Sequence, residues 1–431
     1  MKMRMISRFV VLLVVLCTVG ATAAFAGGAG EPSGPVKINF WAGFTGPDKM
    51  GMQRIVDAFQ KENPTVQVDF FTAPWTEVFT KFGTSFGTGS APDLLVMHVP
   101  DISQFASRSM LTDVGSLASS VGIKSGDYPQ EVWEGQSYAG KQYGVPLDFH
   151  PMAVYKNVAM FKKAGLDPAM SFDSKEKFLE AAQKLTVKDS SGKVVQYGLA
   201  IGSNHSHTMR YWYGLLYQAG GSFLTPDYKK AAFNSDAGVK ALTFVRDLVL
   251  KYKVAPAGET DIDRDWLSGQ VAMVIEGPWW VPGAVENGSI EFQTTAFPTI
   301  FDKAGAWAGS HTLTLPVQSN KARQSAAQKL MKYVATHSVA WGAAGQIPAS
   351  QAVRDSAEYK ALPTYKYFQT FMNESGSIHF EPKIKENAEF GADNQLSPVM
   401  NAIFGVVLGE KEPKAALDEA AQKVDAILQG K

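Results

Sequence analysis

The chain has 431 residues, 41 Lys or Arg against 41 Asp or Glu, 45% hydrophobic and 11% aromatic residues, and one cysteine. That length is more than one core holds, so two domains are expected. A balanced charge argues against nucleic acid or an anionic membrane surface as partner, because both favour a basic patch. At the N-terminus, Lys2, Arg4 and Arg8 precede an apolar run from Phe9 to Leu16, and small residues end at Ala24-Phe25-Ala26. This is the pattern of a signal peptide over residues 1–26, removed on export. Its loss leaves 38 basic against 41 acidic residues, a net charge of −3. The apolar run is too short to span a bilayer, and no later segment reaches the ~18 apolar residues of a membrane helix, so no insertion is expected after cleavage. The single Cys17 lies inside the signal, and Leu16 before it is not the small residue a lipid-anchoring signal needs. The mature chain is therefore expected to carry no thiol, disulfide or lipid anchor.

In chain order, Val36–Phe40 reads as a strand ending at Trp41, before a Gly-containing loop with Phe44. A helix Met50–Lys61, a strand Val66–Phe71, a helix from Pro74 through Phe86 and a buried strand Leu94–Met97 ending at His98 follow. That alternation reads as a doubly wound parallel sheet. Val145–Leu147 is extended and Met152–Tyr155 is a strand, with Asp148–Pro151 linking them. Ser171 or Asp173 is the expected cap of a helix Lys175–Leu185. Gln196–Ile201 reads as a strand that runs out in the polar loop 202–207, before an aromatic helix Tyr211–Tyr217. The amphipathic helix Phe233–Lys253 comes next. In Asp265–Trp280, Ser268-Gly269 ends a helix, Val271–Ile275 is a strand, and Glu276-Gly277-Pro278 breaks it before Trp279-Trp280. Phe292–Phe297 is a strand, Gly309–Thr312 a turn and Leu313–Leu315 a short strand. Helices Gln324–His337 and Pro413–Leu428 follow.

Three stretches carry a family resemblance. They are the helix, Gly, strand and Gly-Pro-Trp succession over 265–280, the Gly87–Leu95 string ahead of a strand, and Tyr143–Asn157. Together they resemble the family 1 extracellular solute-binding proteins of ABC importers, to which maltose-binding protein belongs. The resemblance covers nearly all of the mature chain. It implies an α/β, two-lobed periplasmic-binding-protein fold, each lobe a sheet flanked by helices, joined by a hinge with three crossings. The implied lobes are residues 36–149 with 302–349, and residues 150–301 with 350–431. It further implies a periplasmic monomer that binds a carbohydrate of one to three rings between the lobes and delivers it to permease subunits. No cofactor and no metal are expected. A polyol or a glycerol-phosphate ester is the alternative ligand, and a secreted carbohydrate-active enzyme the alternative of another class.

A sugar cleft needs flat apolar faces for pyranose rings and planar polar groups for hydroxyls. Loops at strand ends supply Trp41, Phe44, Trp75, His98, Asp101, His150, Asn204, His205, Trp279 and His311 as candidates. Tyr211, Glu276, Gly309 and Asn394 complete the set. Trp279 matches the family's Gly-Pro-Trp position, where the ring lies against the sugar, and His150 its cleft-facing crossover; Trp280 is expected in the core. Each aromatic also has a packing role open to it, since buried rings are common. A metal reading rests on His205-x-His207 and is weak, with no thiol available. Asp148 and Glu276 are the carboxyls that a glycosidase would use, yet nothing in their spacing singles out such a pair. A phosphate ligand would need arginine at the cleft, and only Arg108, Arg210 and Arg264 come near, so a neutral sugar is preferred.

Overall fold

The computed structural model describes residues 34–201, 205–258 and 261–431. The expected signal peptide and Asn204 lie outside the described residues, as does the side chain of His205.

The N-terminal alternation of strand and helix builds one sheet. Val36–Ala42 pairs in parallel with Val66–Thr72 on one side and Leu94–His98 on the other. His311–Thr314 then runs antiparallel to Leu94–His98, and Gly144–Pro146 antiparallel to His311–Thr314. The sheet is thus mixed, not fully parallel as the alternation suggested. Its last two strands arrive from distant parts of the chain and enter from the opposite end, so they run backwards against the local βαβ units. The helix Gly46–Glu62 covers this sheet with Met52, Ile55, Val56 and Phe59, all buried at helical spacing.

A second sheet is antiparallel, in the order Met273–Glu276, Ala153–Asn157, Phe292–Ala296. The expected strand over 196–201 is only partly regular. Val194–Gln196 is a short strand, and Tyr197 and Ala200 make single parallel bridges to Val271 and Val274. Around it pack the helices His205–Gln218, Asp236–Leu250, Pro398–Val407 and Pro413–Leu428, whose apolar faces share one large core.

Between these two lies a small linking sheet, ordered Ile347–Pro348, Asp148–Pro151, Ala306–Gly309, Ile378–His379. Asp148–Pro151 is therefore a strand and not a bare link. It gains partners from residues some 150–200 positions away, a contribution no local pattern carries. Likewise only Ser310 interrupts the strands Ala306–Gly309 and His311–Thr314, so the expected turn over 309–312 shrinks to one residue. Its hydroxyl donates to the Asp148 carbonyl at 2.6 Å and holds the bend in place.

Local signals mostly hold. Gly269, at φ +70°, ends the helix Ile262–Leu267 after Ser268, and Asp261 caps that helix by accepting from the Arg264 N–H. Ser174, and not Ser171 or Asp173, caps Lys175–Leu185 by accepting from the Lys177 N–H. Trp280 is half-buried among Tyr155 and Trp266, and its indole N–H donates to Asp263 at 2.6 Å.

Candidate functional site

The linking sheet carries a buried carboxylate from which the site is built. Asp148 is fully buried, and four protein donors surround it. The His311 backbone N–H reaches it at 2.8 Å, His311 Nδ1 at 2.6 Å, His150 Nδ1 at 3.1 Å and Trp341 Nε1 at 2.7 Å. Burial would raise its pKa, but His311 and His150 overcome that and hold the carboxyl well below the usual range. His150 itself is pushed down to about 4, chiefly by burial. Asp148, His150 and His311 bring donor atoms within 4.8 Å of one another, which a metal ion could exploit. In the structure both Nδ1 atoms are engaged with the carboxylate, so the three residues satisfy one another without an ion.

Rings extend outward from this hub on both sides. The Trp75 indole stacks on His311, with centroids 5.6 Å apart at 18°, and lies 4.3 Å from His98. On the other side His150 meets the edge of Trp279 at 5.5 Å, and His207 lies 6.2 Å from the same indole. Gly309 stands where any Cβ would collide with His150 Nε2, so the strand passes close over the imidazole only because it lacks a side chain.

Beside Trp75 opens a cavity of about 640 Å³. Trp75 and Phe79 give it aromatic faces, while Asp101, Gln104, Asn387 and Asn394 present polar groups. It continues into a small recess of about 30 Å³ walled by His98, His150, Gly309, Trp307, Arg210 and Asp393. Glu381 faces both spaces and is fixed by three donors: Trp307 Nε1, Asn387 Nδ2 and the Ala392 N–H, each at 3.1 Å. His98 Nδ1 lies 3.6 Å from Asp101 and 3.8 Å from Asp393.

The structure thus brings Trp75, His98, Asp101, His150, Gly309 and Asn394 to the cavity walls, with His311 directly behind Trp75. Three candidates are corrected. Trp41 packs in a core with Phe71, under Lys81, where a strand's alternation turns it inward. Phe44 is buried against Trp341 and His311 and supports the wall from behind. Tyr211 is fully buried against Phe297 on the core face of its helix. Glu276 and Trp279 sit one layer back from the cavity. Glu276 is 1% exposed and pushed up to about 8 by burial, and it accepts from the Gly277 N–H and the Trp279 indole.

Residues outside the candidate set complete the site: Phe79, Gln104, Asn387, Asp393, Glu381 and Trp307. Trp307 could have been found as an indole on the second crossing, next to Gly309. Arg210 also lies at the recess, although the weighing of arginines had led to a neutral ligand.

Comparison with known proteins places the chain in a family and a fold. A family model described as bacterial extracellular solute-binding protein matches residues 46–341. The chain is 23% identical over 403 residues to a maltooligosaccharide ABC transporter solute-binding lipoprotein of Streptococcus pneumoniae, covering 89% of this chain and 87% of that one. Its structure resembles the Thermotoga lettingae ABC transporter solute-binding protein bound with α-D-tagatose, at TM-score 0.75 and 25% identity, over 91% of this chain and 100% of the other. It also resembles UgpB from Mycobacterium tuberculosis in complex with glycerophosphocholine, at TM-score 0.78 and 20% identity, over 93% and 99% of the two chains. The fold is that of the two-lobed binding proteins, and the chain belongs to the bacterial extracellular solute-binding protein family.

Proposed function

We propose that this protein captures a carbohydrate of one to three rings in the Trp75 cavity and delivers it to the permease of an ABC importer. The observation that carries this reading is the cavity wall itself. The Trp75 and Phe79 rings offer stacking area, and Asp101, Gln104 and Asn394 offer planar hydrogen-bonding groups, around a space of about 640 Å³. Relatives that take maltooligosaccharide or tagatose support the same ligand class. The lobes, residues 36–149 with 302–349 and residues 150–301 with 350–431, close on the ligand, and binding energy favours the closed form. That form is the output: the protein works as a periplasmic monomer, exported by a signal over residues 1–26, and turns nothing over. Asp148, which a glycosidase would need free, has its acceptor sites filled by protein donors.

Thermal melting against saccharides, polyols and divalent metals tests the reading. A ligand at 100 times its dissociation constant adds about 2.7 kcal/mol, visible as a shift in Tm. A rise with a saccharide that is recovered unchanged supports capture. A rise with zinc alone, or consumption of the sugar, overturns it.

A further inference from the structure

Among the described residues, Arg210 is the only arginine or lysine on the walls of the two adjoining spaces. Its guanidinium lies 4.3 Å over the Trp307 ring, which fixes its plane. The Trp307 indole is fixed in turn by its hydrogen bond to Glu381. A guanidinium edge offers parallel N–H groups that suit a carboxylate or phosphate in two-point contact. Here Nη2 pairs with the Asp393 carboxylate, while Nε is buried and has no hydrogen-bond partner. The Asp393 side chain is 60% exposed, so water can take over its solvation when it turns away from the guanidinium. The other carboxyls nearby are committed: Glu381 to Trp307, Asn387 and the Ala392 N–H, and Asp101 to His98. Asn387, which also lines the larger cavity, donates to Glu381 through Nδ2, and its Oδ1 is buried without a hydrogen-bond partner.

From this geometry we infer that the captured solute carries one anionic group, a carboxylate or a phosphate ester, which displaces Asp393 and takes the Nε and Nη2 edge of Arg210. This rests on the proposed capture of a carbohydrate in the same cavity. The solute's uncharged body lies against Trp75. Asp393 then acts as the resident anion of the empty site: it keeps the guanidinium paired between ligands and competes with weak ones. Near the incoming anion stands His98, whose Nδ1 lies 3.8 Å from Asp393 and which acts on that carboxylate with the same sign as Arg210.

Matched pairs test the inference by titration calorimetry on the wild-type protein: glucose against glucuronate, galactose against galacturonate, glycerol against glycerol 3-phosphate. Each acid is expected to bind more tightly than its neutral partner. The uronate and phosphate arms show which anion the recess prefers. Arg210→Met is expected to weaken the acid by ~10–100-fold. Asp393→Asn removes the resident competitor and is expected to tighten the acid several-fold; that exposed position tests the inference even if the Arg210 variant fails to fold. Neutral members binding as well as their acids, with Asp393→Asn without effect, would overturn the anionic reading and leave carbohydrate capture standing. Binding by no member of either series would remove both.

Discussion

Two carboxyls at the centre of this molecule share the same burial and differ in charge. Asp148 is fully buried and Glu276 is 1% exposed. Asp148 receives four strong donors, two of them imidazoles, and is held as a carboxylate. Glu276 receives one backbone N–H at 2.9 Å and an indole, and burial wins, raising it to about 8. His207 Nδ1, 3.2 Å from Glu276, is itself depressed to about 3, by burial first and by Arg210 second. At the Glu276–His207 contact burial thus favours the uncharged form of both partners. Burial sets how costly a charge is, and the donor set decides whether the charge is kept. Asp148 spends its charge on tying the linking sheet to the strand of His311 and the helix of Trp341. Glu276, with too few donors to offset its burial, is pushed toward the neutral form one layer behind the Trp75 cavity.

The sharpest way to break this contrast is Asp148→Ala. It leaves two histidines and an indole without their acceptor, and a loss of about 3–5 kcal/mol is expected in denaturant unfolding. A loss below ~1 kcal/mol would mean that the hub does not hold the sheets together.

The next test is pH. Glu276 is raised from 4.5 to about 8, so the native state holds a proton that the unfolded chain has released in that interval. Stability from this group is complete below pH 4.5 and is lost as pH rises through 8. His150 and His207 are depressed from 6.5 to about 4 and about 3, so their contribution is lost as pH falls below 6.5. Among these three groups, Glu276 alone acts between pH 6.5 and 8. Glu276 should contribute a loss of about 2 kcal/mol across that window, beside that of Glu374, which burial also raises, and Glu276→Gln should reduce the decline by that share. An equal slope in the variant would place the proton elsewhere.

Trp279→Phe sharpens the same point by keeping an aromatic ring and deleting the indole N–H. It should cost about 1 kcal/mol at pH 8, where Glu276 begins to ionise, and less at pH 6. An equal cost at both pH values would separate that indole from the titration. The smallest effect belongs to the solvent. Lys414 and Asp418 form an exposed i,i+4 pair, and Lys414→Ala should change stability by no more than ~0.5 kcal/mol, against which the buried pairs can be calibrated.

The sequence carried the local part of this account well. The helix Pro413–Leu428 has the bounds its Pro start and apolar period indicate, and Gly269 and Asp261 punctuate their helix as their chemistry demands. What escaped was assembled at a distance. Asp148–Pro151 contains a proline and is buried throughout, polar residues included, and becomes a strand through partners at Phe149↔Ile347 and His150↔Gly309. His311 follows Gly309-Ser310, a turn signal by composition, yet belongs to a strand. In the site, Trp75, His98 and Asp101 were legible as loop residues at strand ends. Trp307 and Asp393 were not, and Arg210 was weighed only to be set aside, because three segments spread over nearly 200 residues meet at one recess, and no periodicity encodes that meeting.

The most direct test of the central claim is calorimetric titration of the saccharide that gives the largest melting shift, on wild type, Trp75→Ala and Trp279→Ala. If the solute lies in the cavity beside Trp75, Trp75→Ala weakens binding by about 1–3 kcal/mol, and Trp279→Ala, one layer back, by less. Unchanged affinity in Trp75→Ala, with the larger loss in Trp279→Ala, would contradict this and move the ligand to the other side of the His150–His311 hub.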